Sequence, residues 1–209
     1  MDDRRVAVFA SGRGSNFQAI LKKIHQGYID ATIGLCVTNN PNAGVIDIAK
    51  ENNIPVGLFV PREYPDANAF NDAILAELED KKINFIILAG YLKLIGRQIV
   101  EKFANRIINI HPALLPSFGG KGMYGHHVHD AVFESGVKVS GATVHLVNTE
   151  YDAGPIVMQK SIPVDYAQSP EEIAALVLQI EHQIFPEAVK LMVENRLRVT
   201  GKRVEVLGE

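Results

Sequence analysis

Val6-Ala7-Val8-Phe9-Ala10-Ser11-Gly12-Arg13-Gly14-Ser15-Asn16 is the stretch that decides the fold. Five apolar residues without alternation read as a strand buried on both faces. The glycine-bearing loop ends it, and Phe17, Ile20, Leu21 and Ile24 then recur at helical spacing. Strand, loop and helix in that order point the loop's N–H groups and the positive end of the helix at whatever occupies the crevice. Phosphate is the natural occupant: the glycines permit close approach, Ser15 and Asn16 supply polar contacts, and Arg13 supplies a local cation. The alternative is a tight turn into a capped helix.

The same unit repeats outward. Residues 33–37 form a second strand, stopped by Thr38-Asn39-Asn40-Pro41-Asn42, with a helix over 44–52. A third strand spans 55–60. Phe70, Ile74 and Leu78 then line one helical face, and residues 85–89 form a fully apolar fourth strand. A fifth spans 106–110, and Pro112 and Pro116 delay any helix beyond it. The loop 114–126, with Gly119, Gly120, Gly122 and Gly125, is long for a compact domain, a length that marks function more often than filler. After a helix over 127–135, strands at 137–147 and 155–164 lie close enough to pair antiparallel. Ser169, Pro170 and Glu172 open a long helix reaching about residue 195, which Pro186 is expected to kink or divide. A small hairpin, 197–200 and 204–207, turns on Gly201-Lys202. The expected architecture is α/β: one domain over 1–209 with a single doubly wound, mostly parallel Rossmann-like sheet, an antiparallel late strand and a long C-terminal helix.

Composition narrows the function classes. The 21 Lys plus Arg against 24 Asp plus Glu give a formal charge of −3, so there is no global excess to attract nucleic acid or an anionic membrane. The longest apolar stretch, 85–92, contains Gly90 and falls far short of the roughly 20 residues that span a bilayer. The start, Met1-Asp2-Asp3-Arg4-Arg5, leads into no signal-type apolar core. Cys36 is the only cysteine, inside the apolar run 33–37, which fits a reduced cytoplasm and a buried, inert thiol.

Asn109-Ile110-His111-Pro112 ends the fifth strand, and alternation puts Asn109 and His111 on one side of it. An amide and an imidazole projecting together suit polarisation of a carbonyl and the charge of a tetrahedral intermediate; a structural hydrogen-bonded pair is equally compatible with the spacing. Asp152, in Tyr151-Asp152-Ala153-Gly154-Pro155, is placed to reach His111 and is expected to raise its pKa and keep the ring protonated near neutral pH, or else is an ordinary turn residue. A dinucleotide reading is weak, because Phe17 stands where the third glycine belongs and Asn39 and Asn40 stand where a ribose-binding acid belongs. No P-loop is present. His126, His127 and His129 lack the spacing of a metal site, with only Asp130 as an acidic neighbour, so no metal is expected. His145 reads as a hydrogen-bonded core or crevice residue.

Residues 11–16, Asn109-Ile110-His111-Pro112 with Leu114-Leu115-Pro116, and Thr143-Val144-His145 followed by Asp152-Ala153-Gly154-Pro155 together resemble the folate-dependent formyltransferase family, and within it the phosphoribosylglycinamide formyltransferases. The resemblance covers essentially the whole chain, including Gln179-Ile180-Glu181-His182. It implies a transferase of purine biosynthesis, cytoplasmic, monomeric or homodimeric, that takes small molecules: 10-formyltetrahydrofolate as cosubstrate and glycinamide ribonucleotide as acceptor, with no metal required. By the same resemblance the N-terminal half is the phosphate side, and the C-terminal half completes the folate crevice. Asn109, His111 and Asp152 are catalytic. Gly14, Ser15 and Asn16 hold the substrate phosphate, and Glu181 binds the ribose. Tyr91, Leu92, Lys93, Leu94 and Ile95, with Asn109, line the folate pocket, where the residues alone read as core. One departure stands out: Ala67 occupies the position where relatives carry an Arg for the folate tail, with Arg62 as a candidate substitute. The Asn, His and Asp set is shared with formyltetrahydrofolate hydrolases, which remain an alternative, as does a non-catalytic nucleotide-binding module.

Overall fold

The computed structural model describes residues 4–208, so the reading of the first three residues lies outside it. The chain forms two compact units, Met1–Ile108 and Asn109–Glu209.

In the first unit, β1 (Arg5–Phe9), β2 (Thr32–Thr38), β3 (Val56–Leu58) and β4 (Phe85–Leu88) are all parallel and stand in the order β3-β2-β1-β4. Helices α1 (Ser15–His25), α2 (Val45–Glu51) and α3 (Ala67–Asp80) connect them. Val6, Ala7, Val8, Phe9 and Ala10 have no exposed surface, as expected of a strand flanked on both sides and covered on both faces. The chain winds from β1 to β2 and β3 on one side, then crosses to β4 on the other. β1 and β4 are therefore the switch point of the winding, where open α/β sheets hold ligands beyond the strands' carboxyl ends. The segments leaving those two strands are residues 10–14 and 89–96.

α1 ends in Lys22, Lys23 and His25, cations that complement the negative end of its dipole. It begins directly after Gly14, whose φ of 84° is left-handed. A Cβ there would lie 2.7 Å from Ile48 Cδ1 and 3.3 Å from the Val45 Cα, so the position combines backbone and steric demands that only glycine meets. Asp66 caps α3, its carboxylate accepting the Ala69 N–H at 2.9 Å. Cys36 is buried, and its thiol pKa is pushed up to about 12 by burial, which bears out the inert thiol. A six-residue helix, α4 (Arg97–Lys102), had no counterpart in the sequence reading; Gly96 opens it and Ile99 and Val100 are its buried contacts. The unit closes as β5 (Ile107–His111) begins beside β4, where the Ile86 N–H donates to the Arg106 carbonyl at 2.9 Å.

The second unit takes over within β5. α5 (His126–Ser135) follows the glycine-rich loop, and β6 (Val139–Leu146) pairs antiparallel with β7 (Ile156–Pro163), the expected late reversal. α6 (Pro170–Val193) follows, then β8 (Leu197–Thr200) and β9 (Arg203–Val206) form the terminal hairpin, with β9 also meeting β7 in parallel at Ile156 and Arg203. The Ser169 hydroxyl accepts the Glu172 N–H at 3.3 Å, whereas the Glu172 carboxylate reaches past Ser169 to the Gln168 N–H. The expected division at Pro186 does not occur: α6 runs through it as one helix. Phe185, Pro186, Ala188 and Val189 are all buried, and that packing holds the turn despite the missing N–H. Among the described residues, no helix is long and apolar enough to cross a membrane.

The Gly14 geometry has a measurable consequence. Gly14→Ala lowers the unfolding free energy by about 1–3 kcal/mol, read as a lower urea midpoint at unchanged slope. An unaltered midpoint would show that the loop relaxes without cost.

Candidate active site

Four polar side chains of the second unit converge. Asn109 and His111 leave the end of β5, His145 leaves the end of β6, and Asp152 sits in the turn before β7. The His111 ring is 3% exposed. Its Nε2–H donates to the Phe118 carbonyl at 2.8 Å, which leaves Nδ1 facing Asp152 Oδ2 at 3.6 Å. That carboxylate oxygen also accepts the Gly120 N–H at 2.9 Å, while Oδ1 lies 3.6 Å from His145 Nε2.

His145 is oriented from behind. Its Nδ1–H donates to the Leu146 carbonyl at 2.9 Å, and because a carbonyl only accepts, Nδ1 carries the hydrogen. In the neutral ring Nε2 is then an acceptor, and it receives an Asn109 amide N–H at 3.0 Å. This bond pins the Asn109 amide and leaves its second N–H to point elsewhere. A register irregularity between Val144 and His145 in the β6–β7 ladder places this imidazole, as bulges beside functional sites commonly do.

The electrostatics correct one expectation. Burial is the largest influence on His111 and pushes its pKa below the ordinary imidazole value, although the Asp152 carboxylate and the Phe118 carbonyl pull it upward; His145 adds to the lowering. Asp152 therefore does not hold the ring cationic, because desolvation outweighs a charge 3.6 Å away. For Asp152 itself burial is again the largest single influence and acts upward. The His145 contact, the charge of His111 and the Gly120 N–H together overcome it and hold the carboxyl below its usual range. Asp152 adopts φ of 51°, a left-handed conformation Asp tolerates, so it is a turn residue and a site residue at once.

The loop that supplies the Phe118 carbonyl and the Gly120 N–H is fastened to β6 and β7. Thr143 Oγ1 donates to the Ala113 carbonyl at 2.6 Å and accepts the Leu115 N–H at 3.0 Å, and the Gln159 amide donates to the Leu115 carbonyl and to Thr143 Oγ1, each at 2.9 Å. Sequence reasoning assigned nothing to Thr143 or Gln159 and undervalued His145. The only signal for them was that Thr143-Val144-His145 sits among the resembling motifs.

In the first unit, Gly14 and Asn16 are buried, Ser15 is half-buried and Gly12 and Arg13 are exposed. Leu92 and Leu94 are 50% and 45% exposed, so the core alternative for residues 91–95 fails at those positions; only Ile95 is fully buried. Ala67 is the first residue of α3 and Arg62 is exposed on a short 3-10 turn, Pro61–Glu63. In the second unit Glu181 is buried on α6, unlike a solvated helix acid. His126, His127 and Asp130 bring donor atoms within 4.8 Å of one another at the exposed start of α5, His126 and Asp130 being one helical turn apart, while His129 is half-buried.

A Rossmann-like strand order and a buried imidazole–carboxylate–amide cluster together define an α/β enzyme. Residues 4–189 match the family model described as formyl transferase. The chain is 43% identical to a chloroplastic phosphoribosylglycinamide formyltransferase of Arabidopsis thaliana over 93% of its own length and 67% of that protein. It is 40% identical to the phosphoribosylglycinamide formyltransferase of Bacillus subtilis (strain 168), over 90% and 93% of the two chains. A crystal structure of glycinamide ribonucleotide transformylase 1 from Symbiobacterium toebii superposes with a TM-score of 0.92 at 35% identity, covering 98% of this chain and 94% of that one. The chain belongs to the formyl transferase family and is a transferase.

Burial sets the acid response. His111, His129 and His182 each have pKa values lowered from 6.5, with desolvation first among the causes, and Asp152 is lowered from 3.8. Between the lowered and ordinary values the unfolded chain binds more protons, so this contribution to stability is complete above the unfolded values and is lost as pH falls through the folded ones. Thermal midpoints are expected to fall steadily from about pH 7.5 to 5.5, with a shallower slope in His111→Gln. A midpoint that rises on acidification would contradict the sign.

Proposed function

We propose that this enzyme moves the formyl group of 10-formyltetrahydrofolate to the primary amine of glycinamide ribonucleotide, a step of purine biosynthesis, with Asn109, His111 and Asp152 as its catalytic residues. The observation that carries the reading is the fixed Asn109 amide, held by His145 with one N–H left to donate.

The amine lone pair forms a bond to the formyl carbon, and the carbonyl π electrons move to oxygen. Collapse re-forms the carbonyl and breaks the bond to N10, which keeps the electron pair and takes a proton while the attacking amine loses one. The negative oxygen receives the free Asn109 N–H and the His111 Nε2–H, the latter exchanging the Phe118 carbonyl for a stronger acceptor. Burial keeps His111 neutral in the free enzyme. The added negative charge raises its proton affinity, so the ring takes up the proton the amine sheds, Asp152 facing Nδ1 favours that imidazolium, and the proton passes on to N10 as the bond to it breaks. Asp152 thus also guides the proton from the amine toward N10. No metal enters this balance.

The remaining roles follow the family resemblance. Gly14, Ser15 and Asn16 hold the phosphate, Glu181 binds the ribose, and residues 91–95 with Asn109 hold the folate. The exposed leucines at 92 and 94 and the left-handed Gly14 ahead of α1 support these assignments. The acceptor's identity follows the names of the relatives in Bacillus subtilis and Arabidopsis thaliana.

Removing one oxyanion donor typically costs about 10²–10³ in turnover, so purified, folded Asn109→Ala and His111→Ala each lose at least that in kcat while glycinamide ribonucleotide affinity changes little. Near-normal turnover in either variant contradicts the assignment. Formyl release measured with and without glycinamide ribonucleotide tests the acceptor: release that is equal in its absence identifies a hydrolase instead.

A further inference from the structure

α5 opens after Gly125 with no side chain capping its first turn. His126 and His127 are its first two residues and both are exposed; Asp130 follows one turn on, half-buried. Residues three and four apart are neighbours on a helix surface, so Asp130 stands beside His127 as well as beside His126. One ligand atom from each of the three side chains lies within 4.8 Å of the other two. The spacing judged wrong for a metal site was that of the histidines alone, and the carboxylate supplies the donor one turn away. His129 is not part of this group, being half-buried with its Nδ1 out of contact with solvent.

The two rings are brought together without being used up. The His126 and His127 imidazoles have centroids 4.0 Å apart and planes at 44°, and Tyr124 meets His127 edge to face at 5.2 Å. None of the three side chains forms a hydrogen bond or a salt bridge with another described residue, so their donor atoms are open to a ligand. Two imidazole nitrogens and one carboxylate oxygen are a poor set for magnesium or calcium, which take oxygen ligands, and a good one for zinc with water in the fourth position. Tetrahedral zinc, with bonds of about 2.0–2.1 Å, holds its donors about 3.4 Å apart, so rotation of exposed side chains closes the site with the α5 backbone in place. The Asp130 carboxylate offsets the positive end of the helix, which by itself disfavours a cation.

We propose that His126, His127 and Asp130 form a surface site for one zinc ion, completed by water. The ion ties the first two residues of α5 to the turn that follows, at the uncapped helix start where the glycine-rich loop ends. It takes no part in formyl transfer, and the proposal stands apart from the functional reading given above.

The test is calorimetric titration of the full, chelator-stripped chain with zinc chloride in excess magnesium, repeated on His126→Ala, His127→Ala and Asp130→Ala, with circular dichroism confirming that each is folded. The wild-type chain binds one ion at this site, and its thermal midpoint rises with zinc concentration. Losing a group that merely orients a metal ligand costs about 10–100-fold in affinity, so each variant, which loses a ligand itself, binds zinc at least about tenfold more weakly and loses the rise in midpoint. His25→Ala, which removes an exposed histidine at the end of α1, leaves the affinity unchanged. Absence of zinc binding in the wild-type chain, displacement of zinc by magnesium, or affinity that is equal in the three variants each overturns the inference.

Discussion

The second unit depends on one buried carboxylate. Asp152 is largely removed from water, where an uncompensated charge would cost several kcal/mol, and the Gly120 N–H is its direct compensation in the resting protein. The Gly120 N–H binds one oxygen directly, and the imidazoles of His111 and His145 each lie 3.6 Å from an oxygen. Gly154 two residues later is so close to the Leu146 carbonyl that a Cβ would overlap it, so the turn carrying Asp152 is held against the end of β6. The same Leu146 carbonyl fixes the tautomer of His145. One turn thus determines the carboxylate's place, the ring orientation beside it and the direction of the Asn109 amide.

Desolvation is what makes the cluster responsive. A fully cationic His111 would be a strong donor in the resting protein, but burial disfavours that state more than Asp152 favours it. In the mechanism proposed above, the ring is neutral until negative charge appears beside it, and then the carboxylate behind it stabilises the proton it gains. A group whose charge rises with the charge on the reacting oxygen gives greater stabilisation to the transition state than to the bound substrate, which is the condition for raising kcat.

Much of this was legible because it is local. Continuous apolar runs marked β1, β2 and β4, and the turn residues after them marked where the chain reverses. Ser169 and Pro170 announced α6 within a residue. Asn109 and His111 were paired by alternation along one strand, which needs no knowledge of the rest of the chain. What escaped was decided by packing: α4 is too short to show periodicity, and the buried neighbours of Pro186 carry α6 past it undivided. The net direction of the His111 shift depends on burial, which a sequence does not state. His145 was underestimated for the same reason. Its importance lies in a backbone carbonyl that sets its tautomer and in a carboxylate seven residues further on, and neither contact has a pattern in the residue string.

The claim on which the mechanism turns is that backbone carbonyls set the two imidazoles, with the hydrogen on Nδ1 of His145 and on Nε2 of His111. Nitrogen-15 NMR of histidine-labelled protein at about pH 7.5 reads this directly, since protonated and unprotonated ring nitrogens resonate far apart. The account predicts one neutral ring of each tautomer, assigned by loss of signal in His145→Gln and His111→Gln. A resting imidazolium at His111, or an Nε2–H tautomer at His145 that leaves the Asn109 amide without its acceptor, would contradict it.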